Sequence, residues 1–259
     1  MTSELTSQIT VGLLLSSLVG VLAVGIFATV LTTIYLRRKR LARTESVFAI
    51  DPVSANEVPR LSIFENDCRW VAIKSSRVSA VQAALCLHNP TPCSWGEGLA
   101  RLPNRKLFVA PPVRGWILVV GQGLPDPSED IDRCFHFLTK LSRSLGQVQF
   151  FSVNRSLKHH AWVRVDRGQV RRAYAWAGDT LWNQGLITQP EIDLGLKCFE
   201  YGQSAGTAAS QTVADQRASN SEKILLLAAR WSFDPTSIGE SALRVGLGVA
   251  GDLIEFRQH

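Results

Sequence analysis

His160-Ala-Trp-Val-Arg-Val165, Asp166-Arg-Gly-Gln169, Val170-Arg-Arg-Ala-Tyr-Ala-Trp176: two runs of β-branched and aromatic residues flank a short polar turn. Antiparallel strands can be joined by so short a connection, whereas parallel strands need a long crossover. The stretch therefore reads as a β-hairpin and commits the fold to an antiparallel sheet. In an extended strand His160, Trp162 and Arg164 share one face, and Ala161, Val163 and Val165 share the other. The expectation is a hairpin that buries its aliphatics and displays a basic, aromatic surface. Closure with Val165 opposite Val170 would set Arg164 across from Arg171. Two like charges so placed are unfavourable unless an anion or a carboxylate lies between them.

Upstream of the hairpin, Val148 to Val153 is a further β-type run. Before it lies the clearest amphipathic helix of the chain. Asp126 suits its N-cap, Pro127 its first position, Glu129 its third, and Gly146 its end. Its apolar stripe is Ile131, Cys134, Phe135, Leu138, Leu141 and Leu145. Trp116 to Val120 and Lys106 to Ala110 are two strands joined by a Pro-Pro-Val-Arg-Gly turn. Arg69 to Lys74 is another strand, followed by a helix on Val78, Val81 and Leu85 that reaches about Leu87. His88-Asn-Pro-Thr-Pro-Cys93 breaks the chain. The order β-α-β-β-α-β plus a hairpin predicts an α+β domain with an antiparallel sheet, of ferredoxin-like type, in which two helices cover one face.

Downstream, Thr188 and Glu191 have the spacing of a capping box for a helix to about Tyr201. Residues 202–220 are rich in Ala, Ser, Thr and Gln and read as a mobile loop. Ser221 to Trp231 resumes helical spacing, and Asp234-Pro235 restarts a helix. Ala242 to Phe256 is apolar but interrupted by Gly246, Gly248 and Gly251, too short and broken to cross a bilayer.

The other organising feature is N-terminal. Leu5 to Leu36 holds no Asp, Glu, Lys, Arg or His and is followed by Arg37, Arg38, Lys39, Arg40 and Arg43. A hydrocarbon core of about 30 Å takes roughly 20 apolar residues in a helix. The expectation is an extracytoplasmic N-terminus at 1–8, a transmembrane helix at 9–36, a basic juxtamembrane segment and linker at 37–66, and a cytoplasmic domain at 67–259. The run is too long for a cleaved signal, and its positive charge follows rather than precedes it, which retains that end in the cytoplasm. Gly12, Ser16, Gly20 and Ala28 fall four or eight residues apart on one face, a seam at which two copies could pair as a homodimer.

Residues 1–44 carry five Lys/Arg against Glu4, so +4 of the net +6 is juxtamembrane and only +2 belongs to the remaining chain. That distribution favours anionic headgroups beside Arg37, Arg38, Lys39 and Arg40 over nucleic acid. The odd cysteine count, Cys68, Cys86, Cys93, Cys134 and Cys198, at irregular spacing, reads as reduced residues rather than a disulfide framework.

Catalytic and cofactor motifs are weak. Gly121-Gln-Gly123 lacks the third glycine of a dinucleotide fingerprint and the Lys-Ser/Thr of a P-loop. Cys86/His88 and Cys134/His136 are spaced two apart, which on a helix points them to different faces and away from zinc geometry. No metalloprotease motif occurs, so no cofactor or metal is expected. The local anomaly is Arg155 to Arg172, whose candidate anion and aromatic binding face is Arg155, His160, Trp162, Arg164 and Arg171. The expected function is a membrane-tethered interaction module for an acidic protein or phosphorylated ligand. The alternative is a membrane-anchored hydrolase or transferase with a loop-assembled active site.

Overall fold

The computed structural model describes residues 61–102, 106–202, 210–244 and 246–253. The chain divides into two units, Met1–Ala49 and Ile50–His259. The expected transmembrane helix, the seam at Gly12, Ser16, Gly20 and Ala28, and the cations Arg37 to Arg40 lie outside the described residues. Among the described residues no helix is long and apolar enough to cross a membrane.

The described domain is an α+β structure built on one nine-stranded antiparallel sheet. In chain order its elements are β1 (Cys68–Lys74), α1 (Val78–Leu85), β2 (Leu87–Cys93), α2 (Trp95–Ala100), β3 (Lys106–Val109), β4 (Trp116–Val120), α3 (Ile131–Leu145), β5 (Gln147–Asn154), β6 (His159–Asp166), β7 (Gln169–Trp176), β8 (Thr180–Gln184), α4 (Gln189–Asp193), α5 (Ser210–Trp231), α6 (Glu240–Arg244) and β9 (Gly248–Leu253). Across the sheet the order is β2-β9-β3-β4-β1-β5-β6-β7-β8. β1 is central, with Val71 opposite Val119 on one side and Phe150 on the other.

Both faces are covered, and alternation along the strands explains how. Val71, Ile73, Ile117, Val119, Val148, Phe150, Ala161, Val163 and Val165 turn toward Val81 and Leu85 of α1 and Cys134, Leu138 and Leu141 of α3. Trp70, Phe151, Trp162 and Tyr174 turn the other way, where α5 delivers Ile224, Leu227, Ala228 and Trp231. Trp70 stacks on Phe151 at 5.2 Å and meets the edge of Phe64 at 5.5 Å, and Phe151 contacts Trp231 at 5.8 Å. Each such buried side chain contributes about 1.5–3 kcal/mol relative to exposure. The expectation that helices cover one face is corrected here: a second apolar face, aromatic rather than aliphatic, requires its own cover.

Other boundaries shift for local reasons. Asp126 does not cap α3. Its carboxylate accepts from Ser128 N and Oγ in a turn, and Asp130 is the N-cap, accepting from Arg133 N at 2.8 Å. His88 to Cys93 does not break the chain but forms most of β2, where Pro90 and Pro92 are tolerated because the strand lies on the sheet edge. α4 stops at Asp193 rather than near Tyr201, and α5 begins at Ser210, inside the stretch expected to be a loop. Ala, Ser and Gln are small or straight-chained, and a helix tolerates them. The opposite edge, β8, is short, and the Tyr201 phenol accepts from Asn183 N at 2.7 Å and donates to Asn183 O at 3.3 Å.

Candidate functional site

The β6–β7 hairpin turns at Arg167 and Gly168, both with positive φ as a tight two-residue turn requires. Val165 pairs with Val170, but a bulge then sets Arg164 opposite Arg172, not Arg171. Arg171 is thereby pushed to the surface, 3.7 Å from Asp166.

The bulge decides which arginine is buried. Arg172 is inaccessible to solvent, and so is Glu191. Arg172 Nε donates to Glu191 Oε1 at 2.9 Å. Nη1 donates to Asn183 Oδ1 at 2.8 Å and to the carbonyls of Ala173 and Gln184, while Nη2 donates to Cys198 Sγ at 3.0 Å. Glu191 Oε1 also accepts from Trp162 Nε1 at 2.8 Å, and Oε2 from Thr188 N and Oγ1. The carboxylate that the opposed arginines call for comes from the chain itself. A buried charge pair is tolerated only where its remaining donors and acceptors are met in this way. The cluster ties the 188–198 segment to the sheet, and all three guanidinium nitrogens are engaged internally.

The expected binding residues separate accordingly. His160 and Trp162 do share a face, but that face is covered by α5 and both are buried. They stack at 5.7 Å and 8°, with Asn220 Nδ2 3.3 Å from His160 Nε2. The expected aromatic display is thus corrected to an aromatic core. Arg155 lies on the β5–β6 turn, at the other end of β6 from Arg164, with its amide bonded to Asp67. Arg164 and Arg171 stay together beside the β6–β7 turn.

Further cations gather at that same end of the sheet. Strand neighbours there run β4, β1, β5, β6, β7, β8. Arg114 occupies the turn before β4, and Lys74 ends β1 with Nζ 4.9 Å from the Trp116 ring. Arg143, in the last turn of α3, packs its side chain against Gly168. Gly168 N donates to Ser142 Oγ and Arg167 N to the Gly146 carbonyl, fixing the hairpin tip on that helix end. Lys74, Arg114, Arg143, Arg167 and Arg171 are exposed and Arg164 is half-buried, with Asp166 among them. Sequence reading located Arg164 and Arg171 but missed Lys74, Arg114 and Arg143, which only strand order brings alongside. Glu191 was visible only as a capping residue.

The opposite end carries Asp126, Glu129, Asp130 and Asp132. Arg69 spans it, bonding Leu124 O, Gln122 Oε1 and, at 3.5 Å, Asp126. The Gly121-Gln-Gly123 segment is therefore held as a structural turn. A cavity of about 10 Å³, room for about one water, is lined by Asp126, Ser128, His159 and His160. Ser128 Oγ donates to Asp126 at 2.7 Å, so its hydroxyl proton is directed to a carboxylate, not to an imidazole. Burial lowers the His159 pKa, with Asp126 opposing. Among the thiols, burial pushes Cys68 and Cys198 up to about 12 and raises Cys93 and Cys134. None of these is poised as a thiolate nucleophile. All five cysteines are free; Cys134 is buried, and His136, Cys86 and His88 are exposed. No family model matches the chain, and neither a curated protein nor a solved structure matches it.

Proposed function

We propose that this chain is a membrane-tethered interaction module whose cytoplasmic domain binds an acidic or phosphorylated partner at the basic end of the sheet. The observation that carries the reading is the gathering of Lys74, Arg114, Arg143, Arg164, Arg167 and Arg171 at one end, with Arg172 neutralised internally. Arginine forks suit carboxylate and phosphate groups. The tether is supported by the uncharged run Leu5 to Leu36, and the cytoplasmic side by Arg37 to Arg43 after it. The small-residue seam supports a homodimer through the membrane segment. A ferredoxin-like core is supported by the sub-order β3-β4-β1-β5, with α1 and α3 packed on one face. In that reading β2, α2 and β9 extend one edge and the β6–β7–β8 meander the other.

The test is titration of the full chain, in zwitterionic nanodiscs, with fluorescent hexaglutamate and a phosphoserine peptide. Binding should weaken steeply with salt, and by tenfold or more in the Arg164→Ala, Arg167→Asn, Arg171→Ala variant. Asparagine suits the positive φ at 167. The reading falls if neither probe binds, or if the variant binds both as the parent does.

A further inference from the structure

We infer that the basic end of the sheet docks on anionic phospholipid headgroups, with Leu186 and Ile187 as its apolar contribution. This rests on the acidic-partner reading and names the partner as a bilayer surface. The arginines alone would suit any acidic partner; the neighbouring apolar residues discriminate. Leu186 is 88% exposed, Ile187 50% and Ile192 59%, three large apolar side chains within seven residues. Scattered exposed leucines are ordinary, but an adjacent exposed pair such as Leu186 and Ile187, following the strand end that abuts Arg171, has the composition of an interfacial surface. There, cations meet phosphates and apolar groups enter the headgroup boundary.

The geometry holds this stretch in place. Gln184 O accepts from Arg172 Nη1. At Gly185, φ is +81°, and a Cβ there would lie 2.3 Å from the Arg171 carbonyl oxygen. Glu191 then pins the far side through Thr188 and Arg172. Leu186 and Ile187 therefore follow Gly185, whose backbone lies against the Arg171 carbonyl, on an exposed segment anchored on both flanks. Six neighbouring strands at about 4.8 Å spacing make the end roughly 24 Å wide, enough for several headgroups. The roughly 18 residues from Arg43 to Leu61 can span up to about 60 Å. Either end of an eight-residue strand, about 26 Å long, is thus within reach of the bilayer. Tethering raises the effective concentration at that surface, so individually weak contacts suffice.

The experiment places the full chain, one copy per disc, in nanodiscs of phosphatidylcholine or of phosphatidylcholine with phosphatidylglycerol, and follows hydrogen exchange. Peptides covering 164–172 and 184–192 should exchange several-fold more slowly in the anionic discs, and high salt should abolish the difference. Leu186→Ser with Ile187→Ser should reduce it, with β1 and β5 amides unchanged as the check on folding. Equal exchange in the two lipids, with hexaglutamate or the phosphoserine peptide still bound, overturns the lipid assignment and leaves the acidic-partner reading. Equal exchange with neither probe bound overturns both. A second arm loads two copies per disc: protection indifferent to lipid and confined to this arm assigns the patch to a second copy and overturns the lipid assignment.

Discussion

Arg164 stands directly opposite Arg172 across the β6–β7 ladder, yet among the described residues only Arg172 of the two meets a carboxylate, Glu191 at 2.9 Å. The bulge beside this pair sorts three arginines into one structural residue and two surface ones. Removing Glu191 would leave a guanidinium in a dry site with neutral partners only. Glu191→Ala should therefore lower stability by about 3–5 kcal/mol in urea unfolding of the full chain. Arg172→Met with Glu191→Met should recover most of that loss, because no charge is then buried alone. A single variant within about 0.5 kcal/mol of the parent would show that the pair is not isolated from water.

Arg171→Ala should leave stability nearly unchanged, within about 0.5 kcal/mol, because its ion pair with Asp166 is exposed on both sides. A loss of acidic-probe binding in this variant would then report on the surface and not on unfolding. A drop of several degrees in Tm would contradict the placement.

Gly185→Ala should destabilise by about 2 kcal/mol or more, since a β-carbon would collide with backbone and force an unfavourable positive φ. Gly178→Ala, at φ +92° with open space around it, supplies the control for backbone strain alone. The two should differ clearly in a thermal melt.

The sign for His159 follows from its lowered pKa. In the unfolded chain the imidazole protonates near its ordinary 6.5, while in the folded domain it resists protonation to a lower pH. The contribution is present above pH 6.5 and is lost as pH falls through the window between the unfolded and folded values. His159→Gln should flatten that part of the stability profile, measured by unfolding midpoints between pH 5 and 7. An unchanged slope would rule out His159 as its source.

Cys86 is exposed, while Cys68, Cys93 and Cys134 are buried and Cys198 is pushed up to about 12. Brief maleimide labelling of the folded protein near neutral pH should place the adduct on the Cys86 peptide, read by mass spectrometry. In intact cells a membrane-impermeant maleimide should fail to reach Cys86 until the membrane is opened. Labelling from outside would reverse the proposed orientation.

Local chemistry made much of this fold legible. The Val165–Val170 closure, the facing of His160 with Trp162, and the α3 stripe depend on alternation, turn residues and helical period. The bulge at Arg171 does not: a one-residue irregularity leaves no mark on composition, yet it decides which arginine is buried. Nor does the alternation of His160, Trp162 and Arg164 reveal that α5 lies over them. A polar and aromatic face can be solvated or covered, and the cover comes from helix residues, Ile224 to Trp231, that lie sixty or more positions away. The basic end was half visible, because Arg164 and Arg171 are close in sequence while Lys74, Arg114 and Arg143 meet them only through strand order.

The two margins of the sheet carry a consequence for self-association. Among the described residues, the nine hydrogen-bonded strands leave two edges at which an incoming strand could add. One holds Pro90 and Pro92, which have no amide proton to give, and at the other a phenol occupies both main-chain groups of Asn183. Growth of the sheet from molecule to molecule is obstructed at each end of the row. Tethered as proposed, copies crowded together in two dimensions can then meet through side chains without polymerising through their backbones.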